Sequence, residues 1–472
     1  MGTEKNIVAI ELGSSSVRAI VGQKKSDGSL QVTGFEKESA TDSIHKGVVF
    51  NLDKTIQAIT SVKKRLEERG HFVIDRVCVG ISGQSLRTMP NSVYRQFDIK
   101  VTISDEIVDG LFDENRAHAY PGVEILDVVP QEYRVGTNLT NEPVGIMSDR
   151  IEGYYKNIVA RKSLRESIQR CLQGAKLEVA DIFIAPLLLS NYILSDTEKR
   201  SGCALVDFGA ETTTVAVYEK NILRHLVVIP LGGNNLTNDI ATSLHIEHDE
   251  AEKLKLTYGS AYTPEENLEN SAKTINISND RTIDEKTLLN LIEARQQEIL
   301  ANVWEQIKDY SDRLLAGIIF TGGAANIPEL ETAFVQFHHF DKVKTRQMPA
   351  AADYNTALKL DTQSNTLATL VAMLRRGEQE CTSERHTPAD LFDQVEEENQ
   401  ATAQSSTPSV GQGVVRGTKP ANAETETPVT EGVSELNPPS ETDPEPEPKK
   451  PGAFKRFFKK VSDALEGLVE EK

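Results

Sequence analysis

Ile7-Val8-Ala9-Ile10-Glu11-Leu12-Gly13-Ser14-Ser15-Ser16-Val17-Arg18-Ala19-Ile20-Val21 stands near the start of the chain, and about 195 residues later Cys203-Ala204-Leu205-Val206-Asp207-Phe208-Gly209-Ala210-Glu211-Thr212-Thr213-Thr214-Val215-Ala216-Val217-Tyr218 repeats its design. In each, a short apolar strand bearing a terminal carboxylate, Glu11 or Asp207, enters a small-residue turn from which a second strand leaves. Either one alone reads as an ordinary hairpin. As a pair they fit phosphate chemistry: a turn of small residues lets backbone N–H groups approach phosphate oxygens, and the carboxylate is placed to hold a hydrated Mg²⁺. A third small-residue turn, Thr321-Gly322-Gly323-Ala324, follows the apolar run ending at Phe320 and precedes Ile327-Pro328-Glu329-Leu330. Strand, Gly-Gly turn and helix start would seat an adenosine and its α-phosphate against backbone and a helix N-terminus.

At 472 residues and 38% hydrophobic, the chain is long enough for several cores. Its formal charge of −19 is concentrated: residues 377–448 carry 16 Asp/Glu against 3 Lys/Arg, leaving about −6 for the rest. Nothing forms the broad basic face that nucleic-acid phosphates require, so no nucleic-acid partner is expected. Cys78, Cys171, Cys203 and Cys381 show neither a CxxC pair nor His at ligand spacing, which indicates no disulfide framework or zinc site and suits a reducing cytoplasm. The N-terminus lacks the charged and apolar regions of a secretory signal, and the apolar run 182–194 is too short to span a bilayer. Met1-Gly2 is followed by Asn6 where a myristoylation signal has Ser or Thr.

With these motifs the sequence resembles the actin, Hsp70 and sugar-kinase superfamily, whose two related lobes close on ATP. Within it the bacterial cell-division FtsA family fits best. The resemblance rests on Ile10 to Ser16, Val206-Asp207-Phe208-Gly209, Leu231-Gly232-Gly233-Asn234-Asn235-Leu236-Thr237-Asn238-Asp239-Ile240-Ala241, Ala251-Glu252-Lys253-Leu254-Lys255 and Phe320 to Ala325. It covers residues 5–374 and resumes at the C-terminus. Val128-Val129-Pro130-Gln131-Glu132-Tyr133 with Glu142-Pro143-Val144-Gly145-Ile146 is similar to the signature of the small domain that this family inserts early and other actin-like proteins lack. The pilus-assembly or secretion-platform protein of the same superfamily is the nearest rival.

The resemblance implies an α/β, actin-like two-lobed ATPase fold with an inserted α+β subdomain. The first lobe is expected at residues 1–82 plus 161–200, the insert at 83–160, and the second lobe at 201–376 with a smaller subdomain near 242–309. In that subdomain Leu288, Leu291, Ile292, Ile299 and Val303 recur on one side of a helix over 284–310, a core stripe. Residues 377–451, dominated by Pro, Glu, Thr, Ser and Gly, are expected to form a disordered acidic tether extended by its own charge.

The cofactors so implied are ATP and Mg²⁺. Gly13, Ser14, Ser15 and Ser16 would make one set of phosphate contacts and Gly209 and Thr212 the other. Asp207 and Glu11 would lie near the metal and hold it through water. Glu252 and Lys255 would reach ribose and base, with Gly232, Gly233, Gly322 and Gly323 completing the nucleotide site. Two departures stand out. Superfamily members with efficient hydrolysis commonly carry Gln or Glu, which orients the attacking water, where this chain has Ala185. The family usually has more glycine where this chain has Ala210 and Glu211, and Glu211 adds negative charge near the expected phosphates. ATP binding with slow or no turnover is the expectation.

Residues 452–472 place Phe454, Phe457, Phe458, Val461, Leu465 and Leu468 on one helical face, with Lys455, Arg456, Lys459 and Lys460 at its start. A core helix needs a neighbour to cover such a stripe, yet this one follows a long acidic tether. It reads as an in-plane membrane anchor for anionic lipid, with docking to a protein partner as the alternative. Its early cations and later Asp463, Glu466, Glu470 and Glu471 oppose the helix macrodipole, so it is expected to fold on membrane contact. By resemblance, the partners are the C-terminal tail of the tubulin-like GTPase FtsZ, bound near residues 240–309, further copies of the chain in filaments, and other division proteins. The place implied is the cytoplasmic membrane face at the division site. The enzyme alternative, a small-molecule kinase or ATPase, calls for a polar side chain near Ala185.

Overall fold

The computed structural model describes residues 5–25, 29–264, 274–277, 281–346, 355–356 and 366–384. The expected terminal helix and all of the tether beyond residue 384 lie outside the described residues.

The first quoted stretch forms strand Lys5–Leu12 and strand Ser16–Lys24, antiparallel and in register from Lys5↔Lys24 to Leu12↔Val17. They sit centrally in a six-stranded sheet in the order Glu178–Ile184, Arg76–Ile81, Lys5–Leu12, Ser16–Lys24, Leu30–Ser39, Asn355–Thr356. Ile7, Ala9, Val17, Ile20 and Val21 are fully buried, because both faces of this sheet are covered. One cover is helix Leu52–Gly70, which starts where the Asn51 side chain accepts the Lys54 N–H at 3.0 Å and ends at left-handed His71. It buries Ala58, Ile59, Val62 and Leu66 against this sheet.

Another helix in the same core is Ala368–Arg376, which corrects an expected boundary. The resemblance puts residues up to 376 in the second lobe, but Leu370, Val371, Met373 and Leu374 are fully buried in the first-lobe core. Burying these four stabilises that lobe by about 1.5–3 kcal/mol each. The tether was likewise expected from Gly377. Instead Cys381 is buried, its N–H donates to the Asn6 carbonyl at 2.9 Å, and strand Thr382–Glu384 pairs antiparallel with Phe72–Ile74. Acidic composition hid one buried cysteine and three paired residues.

The second stretch forms Cys203–Phe208 and Thr213–Glu219, continued by Ile222–Ile229. Gly317–Thr321 joins Cys203–Phe208 in parallel and Val343–Thr345 follows. The two-residue period divides this sheet between cores: Ala204, Val206 and Phe208 pack with helices Gly233–Leu244 and Glu285–Ile307, whereas Cys203 and Leu205 pack into the first-lobe core. The stripe on Glu285–Ile307 buries Leu288, Ile292, Ile299 and Val303, with Leu291 partly buried.

The insert has its own small core, including Val93, Leu111, Tyr133, Ile151 and Tyr155, between helix Asp105–Arg116 and strands Arg87–Thr102, Val123–Val135 and Met147–Arg161. Its chain ends join the first lobe, yet its sheet runs into that of the second, making nine strands among the described residues. Arg87 pairs with Val227, the Val228 N–H donates to the Leu86 carbonyl at 3.1 Å, and the Leu226 N–H donates to Thr88 Oγ1 at 3.0 Å. Gln131, from the signature, donates to the Leu223 carbonyl at 3.0 Å and accepts from Arg224 at 3.1 Å, while Glu132 stands 3.6 Å from the same guanidinium. No described helix is long and apolar enough to cross a membrane.

Candidate functional site

The two hairpin turns open onto one cavity of about 370 Å³ between the lobes. They have the same closure: the Gly13 N–H donates to the Ser16 carbonyl at 3.1 Å, and the Gly209 N–H to the Thr212 carbonyl at 2.8 Å. Gly13, Ser14, Ser15, Gly209 and Thr212 line the cavity, whereas Ser16 is drawn into the strand pairing opposite Ser39. Glu11, Asp207, Glu252 and Lys255 line it as well, together with Gly232, Gly233, Gly322 and Gly323.

Asp207 is the penultimate residue of strand Cys203–Phe208 and lines the cavity. Burial, reinforced by the charge of Glu11, pushes its carboxyl up to about 6, against the opposing pull of Arg18. Glu11 in turn meets Arg18 at 3.1 Å, and Arg18 also donates to the Thr366 carbonyl, at the entry to helix Ala368–Arg376. A carboxylate so strained by burial and a like charge is a good seat for a divalent cation. Among the described residues no cluster of three potential metal ligands occurs, so a metal here would keep water and ligand oxygens in its shell, as Mg²⁺ does. The residues present therefore fit the implied ion.

The glycines contribute by letting backbones touch. A Cβ on Gly232 would lie 2.6 Å from the Gly209 carbonyl oxygen, and one on Gly322, whose φ is +94°, would lie 2.4 Å from Asp207 Oδ1. The donors of Gly232 and Gly233 are already engaged, by Asn235 Oδ1 at 2.9 Å and the Gly209 carbonyl at 3.0 Å. The Asn234 N–H is held by the Ala210 carbonyl at 2.6 Å, so the start of helix Gly233–Leu244 braces the second turn. Lys255 donates to Thr237 Oγ1 at 2.9 Å and pairs with Glu252 at 2.6 Å. The third turn differs from expectation. A 3₁₀ turn, Gly323–Asn326, intervenes, and the α-helix begins only at Leu330 after left-handed Glu329, so Ile327 and Pro328, rather than a helix N-terminus, face the cavity.

Ala185 is the first residue of helix Ala185–Ile193 and lies on the cavity wall. Its methyl group offers no partner for a water. Glu211 turns away from its own lobe: Oε2 accepts the Lys46 N–H at 2.7 Å, and Oε1 is 3.6 Å from His45 Nδ1. The neighbouring Gly47 N–H donates to Ser14 Oγ at 2.9 Å. Sequence reasoning missed this Lys46-Gly47 turn, although a glycine between His45 and Val48 is a turn signal. It also missed Arg18, Gln296 and Thr366, which line the cavity.

Two family models match, "Cell division protein FtsA" over residues 204–372 and "SHS2 domain inserted in FTSA" over 83–159. The Neisseria meningitidis cell division protein FtsA is 30% identical over 342 residues, covering 71% of this chain and 81% of the relative. The chain belongs to the FtsA family. The Bacillus subtilis FtsA is 29% identical over 70% of this chain and 76% of its own length, and the Escherichia coli FtsA 28% identical over 71% and 82%. The fold is shared more widely: a structure of a PilM–PilN type IV pilus biogenesis complex aligns with 79% of this chain and 98% of its own at TM-score 0.56 and 14% identity. The actin-like fold with the FtsA-type insert thus stands as the sequence implied.

Proposed function

We propose that this FtsA-family protein is an ATP- and Mg²⁺-binding scaffold that holds FtsZ filaments at the cytoplasmic face of the membrane and recruits other division proteins. The observation that carries the reading is the convergence of both small-residue turns, with Asp207 and Glu11, on one interlobe cavity in a chain of this family. Gly13, Ser14 and Ser15 from one lobe and Gly209 and Thr212 from the other would hold the phosphates, with Mg²⁺ at Asp207 and Glu11 neutralising their charge. Glu252 and Lys255, fixed by their mutual ion pair, would face ribose and base. Ala185 supports slow turnover, since orienting the attacking water is a substantial part of phosphoryl transfer and an alanine cannot do it.

Attachment rests on the terminal stripe of Phe457, Phe458 and Leu465 with its leading Lys and Arg residues. One such helix attaches reversibly, and self-association of the body would multiply it through avidity. The test is imaging of FtsZ on supported anionic bilayers with this protein in Mg-ATP, beside a Phe457→Glu/Phe458→Glu variant. Recruitment by the native chain alone is the expected result. A protein that coats lipid but leaves FtsZ in solution would refute the FtsZ role, and one that never binds lipid would refute the anchor.

A further inference from the structure

Glu211 of one lobe and the Lys46-Gly47 turn of the other meet at the cavity wall in a way neither sequence motif announces. Lys46 and Gly47 both adopt left-handed backbone, at φ 52° and 71°, and their successive N–H groups meet one oxygen from each lobe: Glu211 Oε2 from the second turn and Ser14 Oγ from the first. Successive N–H groups in such a bend make an anion-accepting concavity. The anion it holds belongs to the protein itself, and the Glu211 side chain is one-fifth exposed, at the cavity wall.

The charge of the wall sharpens the point. Its acidic members are Glu11, Asp207, Glu211 and Glu252, and its cations are Arg18 and Lys255, which already pair with Glu11 and Glu252. Asp207 is suited to a metal. Glu211 is left as the carboxylate that neither Arg18 nor Lys255 pairs with; its one neighbouring basic side chain among the described residues is His45, whose Nδ1 stands 3.6 Å from Oε1 outside the cavity lining, and it stands where the two phosphate-type turns meet.

We propose that Glu211 is a cross-cleft clasp that competes with polyphosphate, so that this cavity discriminates among nucleotides by phosphate charge and the clasp releases Lys46 when a triphosphate enters. The inference rests on the nucleotide reading above. Each added phosphate charge meets the fixed carboxylate at short range, whereas an uncharged nucleoside does not. The penalty therefore falls most on ATP, less on ADP and hardly at all on adenosine.

Equilibrium titrations of the full chain with Mg-ATP, Mg-ADP and adenosine, for the native protein, Glu211→Gln and Glu211→Gly, test selectivity. Hydrogen exchange of the peptide spanning residues 43–50 tests the clasp without any ligand. Glu211→Gln keeps an acceptor for Lys46 but loses the charge; it is expected to tighten Mg-ATP about tenfold, Mg-ADP less and adenosine under about twofold. Glu211→Gly, which also loses the acceptor, is expected to speed exchange at Lys46 severalfold, as is saturating Mg-ATP on the native chain. Binding by the variants where the native chain binds poorly would also support the proposal. If the native chain binds Mg-ATP and Glu211→Gln leaves the ATP-to-adenosine ratio unchanged, the selectivity is overturned while the nucleotide reading stands. If Lys46 exchange is unchanged in Glu211→Gly, the clasp is overturned. If no form binds nucleotide, the nucleotide reading falls and the selectivity with it.

Discussion

The turn at Gly13 and the turn at Gly209 are built alike and braced differently. Both close with an N–H donated across three residues, and both follow a strand whose penultimate residue is a carboxylate, Glu11 or Asp207. The first is held within its own lobe, by Ser14 on Gly47 and by the Ser15 carbonyl on the Ala40 N–H. The second is gripped from behind by Gly233 and Asn234 and reaches forward to the other lobe through Glu211. Repetition in sequence thus produced one fixed wall and one wall that bridges the cleft. It teaches that a motif carries its local closure with it, whereas its load-sharing is decided by what the rest of the chain sets beside it.

The sharpest way to break this comparison is to add one methyl group to each turn's glycine support. Gly232→Ala would drive a Cβ into the backbone of Gly209 and Ala210, neither of which can yield without moving the turn. A loss of about 3 kcal/mol in urea unfolding is expected, with loss of nucleotide binding. Next in size is Asp207→Asn without metal or nucleotide. The Asp207 carboxyl is raised to about 6 in the folded protein, so ionising it costs stability as pH rises from its ordinary range through 6. The variant should be more stable than the native chain by up to about 3 kcal/mol at pH 7.5, with the difference vanishing near pH 4. Equal stability at pH 7.5 would refute the strained carboxylate. Ser14→Ala would leave the half-buried Gly47 N–H without its acceptor and is expected to cost about 1–2 kcal/mol in thermal unfolding. Gly13→Ala is the mildest: its Cβ would approach the Ser16 carbonyl oxygen at 3.2 Å, and a cost under about 1 kcal/mol is expected. A larger effect at Gly13 than at Gly232 would invert the comparison.

Local chemistry was legible and long-range destination was not. The short apolar run of Cys203–Phe208, the small residues that follow it and the 3.6-residue stripe on Glu285–Ile307 each announce their own element. Gln131 could be read as a family mark but not as the residue that docks the insert on Leu223 and Arg224, because its partners lie about ninety positions away. Helix Ala368–Arg376 gives no clue to which lobe it joins, since an apolar face fits any core equally well. Gly377 looked like the start of the tether because composition averages over a window, and one buried Cys381 hardly moves that average. Glu211 was recognised as a departure, yet its direction depended on a turn 165 residues earlier.

The return of residues 366–384 to the first lobe also sets a schedule for synthesis. Strands Lys5–Leu12 and Ser16–Lys24 leave the ribosome first, but the helix and strand that complete their core are made more than 340 residues later. At typical elongation rates, roughly 5–20 residues per second, the early sheet waits on the order of twenty seconds or longer for its last cover. Meanwhile the second lobe, whose described strands and helices all lie within residues 203–345, has its parts in hand. The early strands of the first lobe are therefore synthesised long before their last cover, and until Leu370 and Met373 are made the apolar surface those residues will bury has nothing from helix Ala368–Arg376 against it.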